Sequence, residues 1–172
     1  MFLKICLVFM LFACGKNTTI KTVPIENFNV EKYLGTWHEI ARVENHFEKN
    51  CTDVTAEYSL RQDGKINIEN KCTIDGKQKI AKGKAYFAKS PNVGLLKVTF
   101  FWPFYANYNI SYIDENYQYA IVDGGSSKYF WILARNKTID NTKMQEILAK
   151  VREIGINPQN LTYAMQIKTL NN

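Results

Sequence analysis

Two neighbouring segments constrain this chain more than anything else in it: VTAEYSL at 54–60 and KINIENK at 65–71. Val54, Ala56, Tyr58 and Leu60 fall on one face, with Thr55, Glu57 and Ser59 on the other. Ile66 and Ile68 alternate in the same way with Lys65, Asn67 and Glu69. A period of two with one polar face is the signature of a half-solvated antiparallel strand. Gln62-Asp63-Gly64 supplies a three-residue loop with glycine in the left-handed position. That loop sets Leu60 opposite Ile66 and Tyr58 opposite Ile68, so the apolar faces match; a two-residue Asp-Gly turn would set apolar against polar. The same register puts Cys72 opposite Val54, out of phase with Cys51. A bond between these cysteines therefore requires a bend or bulge near Thr52-Asp53.

The pattern continues. GKAYFA (83–88), LLKVTFF (95–101), YNISYI (108–113), YAIV (119–122) and YFWILAR (129–135) read as further strands, and one more begins near Thr36. Turn residues separate them: Asp-Gly, Ser-Pro-Asn, Trp-Pro, Gly-Gly. Eight short strands in succession with tight links point to an all-β chain, an eight-stranded antiparallel up-and-down barrel or meander; a sandwich needs longer crossing connections. From Asp140 to Ile154, Met144, Ile147, Leu148 and Val151 recur with helical spacing ahead of Gly155. That is a single amphipathic C-terminal helix with a glycine cap, packed on the outside of the barrel. Leu161 to Ile167 reads as a short final strand.

At 172 residues the chain has the size of one domain with a true core. Its net charge of +6 comes mostly from scattered lysines, which excludes the clustered footprint of a nucleic-acid binder. His38 and His46 are isolated, and no set of residues has metal-ligand spacing. The first residues, MFLKICLVFMLFAC, carry a lone Lys4 and an apolar run too short to span a bilayer. They read as a signal peptide at 1–13. Leu11-Phe12-Ala13-Cys14 resembles the bacterial lipobox, which implies acylation of Cys14 and a lipidated tether over 14–26 ahead of the barrel domain at 27–172. Several acyl chains suffice for stable anchoring. Gly15 after the cysteine favours sorting to the outer membrane, facing the periplasm. Export leaves Cys51 and Cys72 in an oxidising compartment, where a lone pair is expected to form a disulfide.

YLGTWHEIAR (33–42), VTAEYSLRQDGKINIENK (54–71), GKAYF (83–87), LKVTFFWPFYANYNI (96–110) and YFWILAR (129–135) together resemble the lipocalin family. The nearest likeness is to its bacterial outer-membrane lipoprotein branch, with apolipoprotein D and the plant temperature-induced lipocalins. The resemblance implies a calyx that is open at one end and binds small hydrophobic ligands, with no cofactor and no catalysis. It also implies that Gly35, Trp37 and Arg135 close the base, the guanidinium covering the indole.

Strand parity directs Leu96, Val98 and Phe100 inward, along with Ala85 and Phe87, while Lys84, Lys97 and Thr99 face solvent. Tyr105 and Trp131 match a tyrosine and a tryptophan of lipid-binding family members and rank first as ligand contacts. Val98, Phe100, Tyr108, Tyr58 and Phe87 complete the candidate set, and Trp102 is expected to narrow the mouth. Fatty acids or lysophospholipids fit such a pocket, carried by a monomer or a homodimer held at the membrane through Cys14. Two other readings stand beside this one. An isomerase-like enzyme would use Cys72 as a cavity thiol, and a haem or pigment carrier would need His38 or His46 in the pocket.

Overall fold

The computed structural model describes Ile20 and residues 22–164. The leader at 1–13, Cys14 and the end of the expected last strand lie outside the described residues. A short helix α1 (Val30–Tyr33) precedes eight strands: β1 (Gly35–Val43), β2 (Thr52–Leu60), β3 (Ile66–Ile74), β4 (Lys77–Phe87), β5 (Leu95–Phe101), β6 (Phe104–Ile113), β7 (Tyr119–Asp123) and β8 (Phe130–Ala134). Helix α2 (Asn141–Ile154), a 3-10 turn (Pro158–Asn160) and β9 (Leu161–Tyr163) follow. Each strand pairs antiparallel with the next, and β1 pairs with both β8 and β2, so the sheet closes into a barrel. Strand β9 lies outside the eight, on the stretch of β1 from Ala41 to Val43, where β2 no longer reaches.

The β2–β3 hairpin has the register that its loop chemistry demands: Leu60 opposite Ile66 and Tyr58 opposite Ile68, with Gly64 at positive φ. The register slips between Thr52 and Thr55, where Asp53 takes a left-handed backbone. That bulge brings Cys51 and Cys72 into phase, and they form a disulfide with 5.4 Å between Cα atoms. No thiol remains at Cys72 to serve as a cavity nucleophile.

Alternation along the strands divides the apolar residues into two cores. Outside the barrel, Met144, Ile147, Leu148, Val151 and Ile154 of α2 pack on Ile40, Ile121, Phe130, Ile132 and Ala134. Asp140 caps this helix by accepting from the Lys143 amide, and left-handed Gly155 ends it. Inside lie Trp37, Tyr58, Ile66, Ile68, Ala85, Leu96, Ile110, Ala120, Val122 and Leu133, with Phe28 and Tyr33.

Because the strands alternate in direction, the loops form two sets. Those at 61–65, 88–94 and 114–118, together with α1, surround the end where β1 starts. Those at 44–51, 75–76, 102–103 and 124–129 surround the other end.

Candidate functional site

The end where β1 starts is sealed. Trp37 is fully buried, its indole N–H donates to the Tyr33 carbonyl (2.8 Å), and the Arg135 guanidinium lies 3.9 Å from the ring centroid. Arg135 is held in place by donating to the carbonyls of Thr36, Lys32 and Leu34, so one cation caps both the indole and the open carbonyls of the α1–β1 turn. Gly35 has φ +90°, and that left-handed turn between helix and strand is its reason for being glycine. Just inside sits a floor of three tyrosines: the Tyr108 hydroxyl hydrogen-bonds those of Tyr33 and Tyr58, each at 2.7 Å. Burial holds all three phenols protonated, pushing Tyr58 up to about 12.

The opposite half of the lumen is different. Inward-facing Ala56, Val98, Phe100 and Trp131 pack against the interior core yet remain only half-buried. Phe87 and Tyr108 nearer the base are half-buried too, so it is position that sets this half apart: it lies at the end away from the Trp37–Arg135 seal, the end at which a barrel closed on one side has its mouth. Phe100 lies in the space that a side chain on Gly83 would fill, with its ring edge 2.8 Å from the ideal Cβ position. Glycine there lets an aromatic form the wall.

A polar network runs down one side of this mouth. The β1 ladder shifts between Glu39 and Ala41, so Arg42 rather than Ala41 comes opposite Trp131 and faces inward. Arg42 donates to Glu39 (2.6 Å), to the Glu48 carbonyl and to Glu44. The Glu48 carboxylate in turn accepts from the Trp131 indole N–H (2.8 Å) and from Asn45 (2.7 Å), which ties the 44–51 loop over the lumen. Burial, aided by repulsion from Glu48, raises the Glu39 carboxyl to about 7 despite its arginine partner. One Glu39 oxygen and the Asn70 carbonyl oxygen have no hydrogen-bond partner in the protein.

The expected contacts are thus sorted by depth. Tyr58 and Tyr108 form the floor, Phe87 packs near the base against Phe28, and Val98, Phe100 and Trp131 line the mouth. Tyr105 is not brought together with them. Ala106 pairs with inward Val98, which turns Tyr105 outward, where its ring meets that of outward-facing Tyr86 at 5.3 Å. Thr99 does lie on the outer face but is buried, in the same surface groove as Tyr86 and Tyr105. Trp102 does not narrow the mouth; it is 82% exposed on the tip of the β5–β6 hairpin. His38 has the opposite parity to Trp37, near Lys137 and Asp53, and His46 lies against Phe47 in the 44–51 loop, the two rings tilted by 38°. Among the described residues no cluster has the makings of a metal site.

Tyr33, Glu39, Arg42 and Glu48 complete the site and are absent from the sequence-level set. Glu39 was legible, since it shares parity with Trp37; Arg42 was not, because only the bulge turns it inward.

The model of the lipocalin-like domain matches residues 28–166. The outer membrane lipoprotein Blc of Escherichia coli K12 is 40% identical over 161 residues, covering 92% of this chain and 91% of that protein. Temperature-induced lipocalin-1 of Arabidopsis thaliana is 34% identical, covering 76% and 75%. Among solved structures, insecticyanin from the tobacco hornworm Manduca sexta superposes with a TM-score of 0.70 at 20% identity, covering 86% of each chain, a likeness of fold alone.

Proposed function

The chain belongs to the lipocalin family, and from that premise we propose that it is a lipid-anchored carrier that holds the acyl chain of a fatty acid or lysophospholipid in its calyx. The observation that carries this reading is the contrast between a sealed, aromatic base and a reachable mouth lined by Val98, Phe100 and Trp131. An acyl chain entering from the mouth gains about 0.8 kcal/mol for each CH₂ removed from water. Its polar group then stays near the mouth, beside the Glu39, Arg42 and Glu48 network. Cys14 carries the anchor in this reading, and relatives named as outer membrane lipoproteins support that location. Among the described residues no helix is long and apolar enough to cross a membrane.

Two measurements test the proposal together. Mass spectrometry of lipid extracted from the purified protein is expected to find acyl lipid in near-stoichiometric amount. A fluorescent fatty acid is expected to bind the delipidated protein and to be displaced by lysophospholipid. No co-purifying lipid and no saturable dye binding would sink the reading.

A further inference from the structure

Large hydrophobic side chains are unevenly exposed between the two ends. On the mouth loops and the hairpin tip beside them, Phe47 is 66% exposed, Phe101 77%, Trp102 82% and Phe104 78%. At the base only Leu60, the last residue of β2, is comparably placed, at 47%, and the loops at 61–65, 88–94 and 114–118 add no exposed large hydrophobic side chain, Val93 being buried and Tyr117 half-buried. Neither the fold nor ligand binding requires this asymmetry, because these four rings leave most of their surface uncovered by the rest of the protein.

We propose that the mouth-end aromatics, with Trp102 at their centre, dock the protein on a phospholipid bilayer so that the calyx opens against the membrane surface. The proposal rests on the acyl anchor of the preceding section. Three observations select a bilayer over other occupants. A Trp side chain settles in the interfacial zone with its ring among the acyl chains and its N–H hydrated, and Phe rings beside it add apolar surface that inserts at the same depth. Exposed lysines flank the tips: Lys49 in the first mouth loop, Lys77 and Lys79 beside the second and Lys128 in the last. They lie at the same end of the barrel as the rings and complement anionic head groups. The chain also enters the fold on this side, since Thr22 hydrogen-bonds Asp123 at the mouth-side end of β7. Cys14 precedes Ile20 by six residues, a span of at most about 20 Å, so an acyl anchor there pulls the mouth, not the base, toward the bilayer. Anchor and rings then hold one face of the barrel to the membrane, and a lipid leaving the bilayer meets the opening of the calyx.

The test mixes the full chain with vesicles of phosphatidylethanolamine and phosphatidylglycerol whose acyl chains are either plain or brominated. Tryptophan emission from the wild type is expected to be quenched by the brominated lipid, and Trp102→Phe is expected to remove most of that quenching. Trp37 is sealed in the base, and any quenching of Trp131 by lipid inside the calyx survives the substitution, so only the Trp102-dependent part reports docking. The triple variant F101S/W102S/F104S is expected to keep the urea midpoint and dye affinity of the wild type while binding vesicles at least about tenfold more weakly when Cys14 is replaced by serine in both. Quenching that neither variant changes overturns the proposal. So does a wild-type dimer, seen by light scattering, that the triple variant converts to monomer with vesicle affinity unaltered, which would mean that a second copy covers the rings. A protein that carries lipid but shows no Trp102-dependent quenching fails here alone; one that docks but carries no lipid fails the carrier reading alone.

Discussion

The two ends of this barrel are built from the same kinds of residue and put them to opposite uses. At the base, Tyr33, Trp37, Tyr58 and Tyr108 turn their rings inward and satisfy every polar edge within the protein: indole to carbonyl, hydroxyl to hydroxyl, guanidinium over ring. At the mouth, Phe47, Phe101, Trp102 and Phe104 turn outward and leave most of their surface exposed. The polar groups differ in the same way. Arg135 is fixed by several backbone carbonyls, whereas Arg42 shares itself among Glu39, Glu44 and the Glu48 loop, with one buried carboxylate oxygen left without a partner. Aromatic content by itself therefore says little. What matters is whether the rings face a core, where they hold the fold, or an edge, where they serve contact.

Perturbing the base should cost the most. Trp37→Ala removes a fully buried indole together with its cation–π cover, and a loss of about 3–5 kcal/mol in urea unfolding is expected. A loss below about 1 kcal/mol would mean that the base is not the structural half of the molecule. Next comes the disulfide that ties the mouth ends of β2 and β3. Cys51→Ser with Cys72→Ser frees a loop of 21 residues and is expected to cost about 2–3 kcal/mol, with dye affinity retained if the calyx wall survives.

The mouth network should instead betray itself through pH. The folded Glu39 carboxyl titrates at about 7, above its ordinary value of 4.5, so the folded state binds more protons than the unfolded state between these pH values. The Glu39 contribution to stability therefore falls as pH rises from about 4.5 to about 7, and Glu39→Gln is expected to remove that downward component from urea midpoints measured across the window. A slope unchanged by the substitution would assign the titration elsewhere.

The smallest and sharpest contrast lies within the ligand set. Trp131→Ala is expected to weaken fluorescent fatty-acid binding about tenfold, the equivalent of one half-buried aromatic contact, while Tyr105→Ala, on the outer face, leaves it within about twofold. Equal losses in both variants would bring Tyr105 back into the pocket.

Much of this was legible beforehand, because strand parity is a local property. Val98, Phe100, Phe87 and Tyr58 point inward as the alternation requires. The hairpin loop set the β2–β3 register, and the phase mismatch of the two cysteines called for the bulge now seen at Asp53. Parity failed where the ladder slips. Between Glu39 and Ala41 one extra residue turns Arg42 into the mouth, which no count along the strand reveals. Tyr105 was placed by likeness to relatives, whereas the pairing of its neighbour Ala106 with Val98 faces it outward.

The alternation of apolar and polar residues, the turn chemistry and the capped amphipathic helix are short-range, and through them the sequence by itself determined the strands, their order and which faces are apolar. Closure of the sheet was decided only by tertiary structure. Whether a ring on an apolar face ends in a sealed base, along a reachable wall or on a bare rim depends on its height along the barrel and on strands distant in the chain, and neither is encoded in any local stretch of residues.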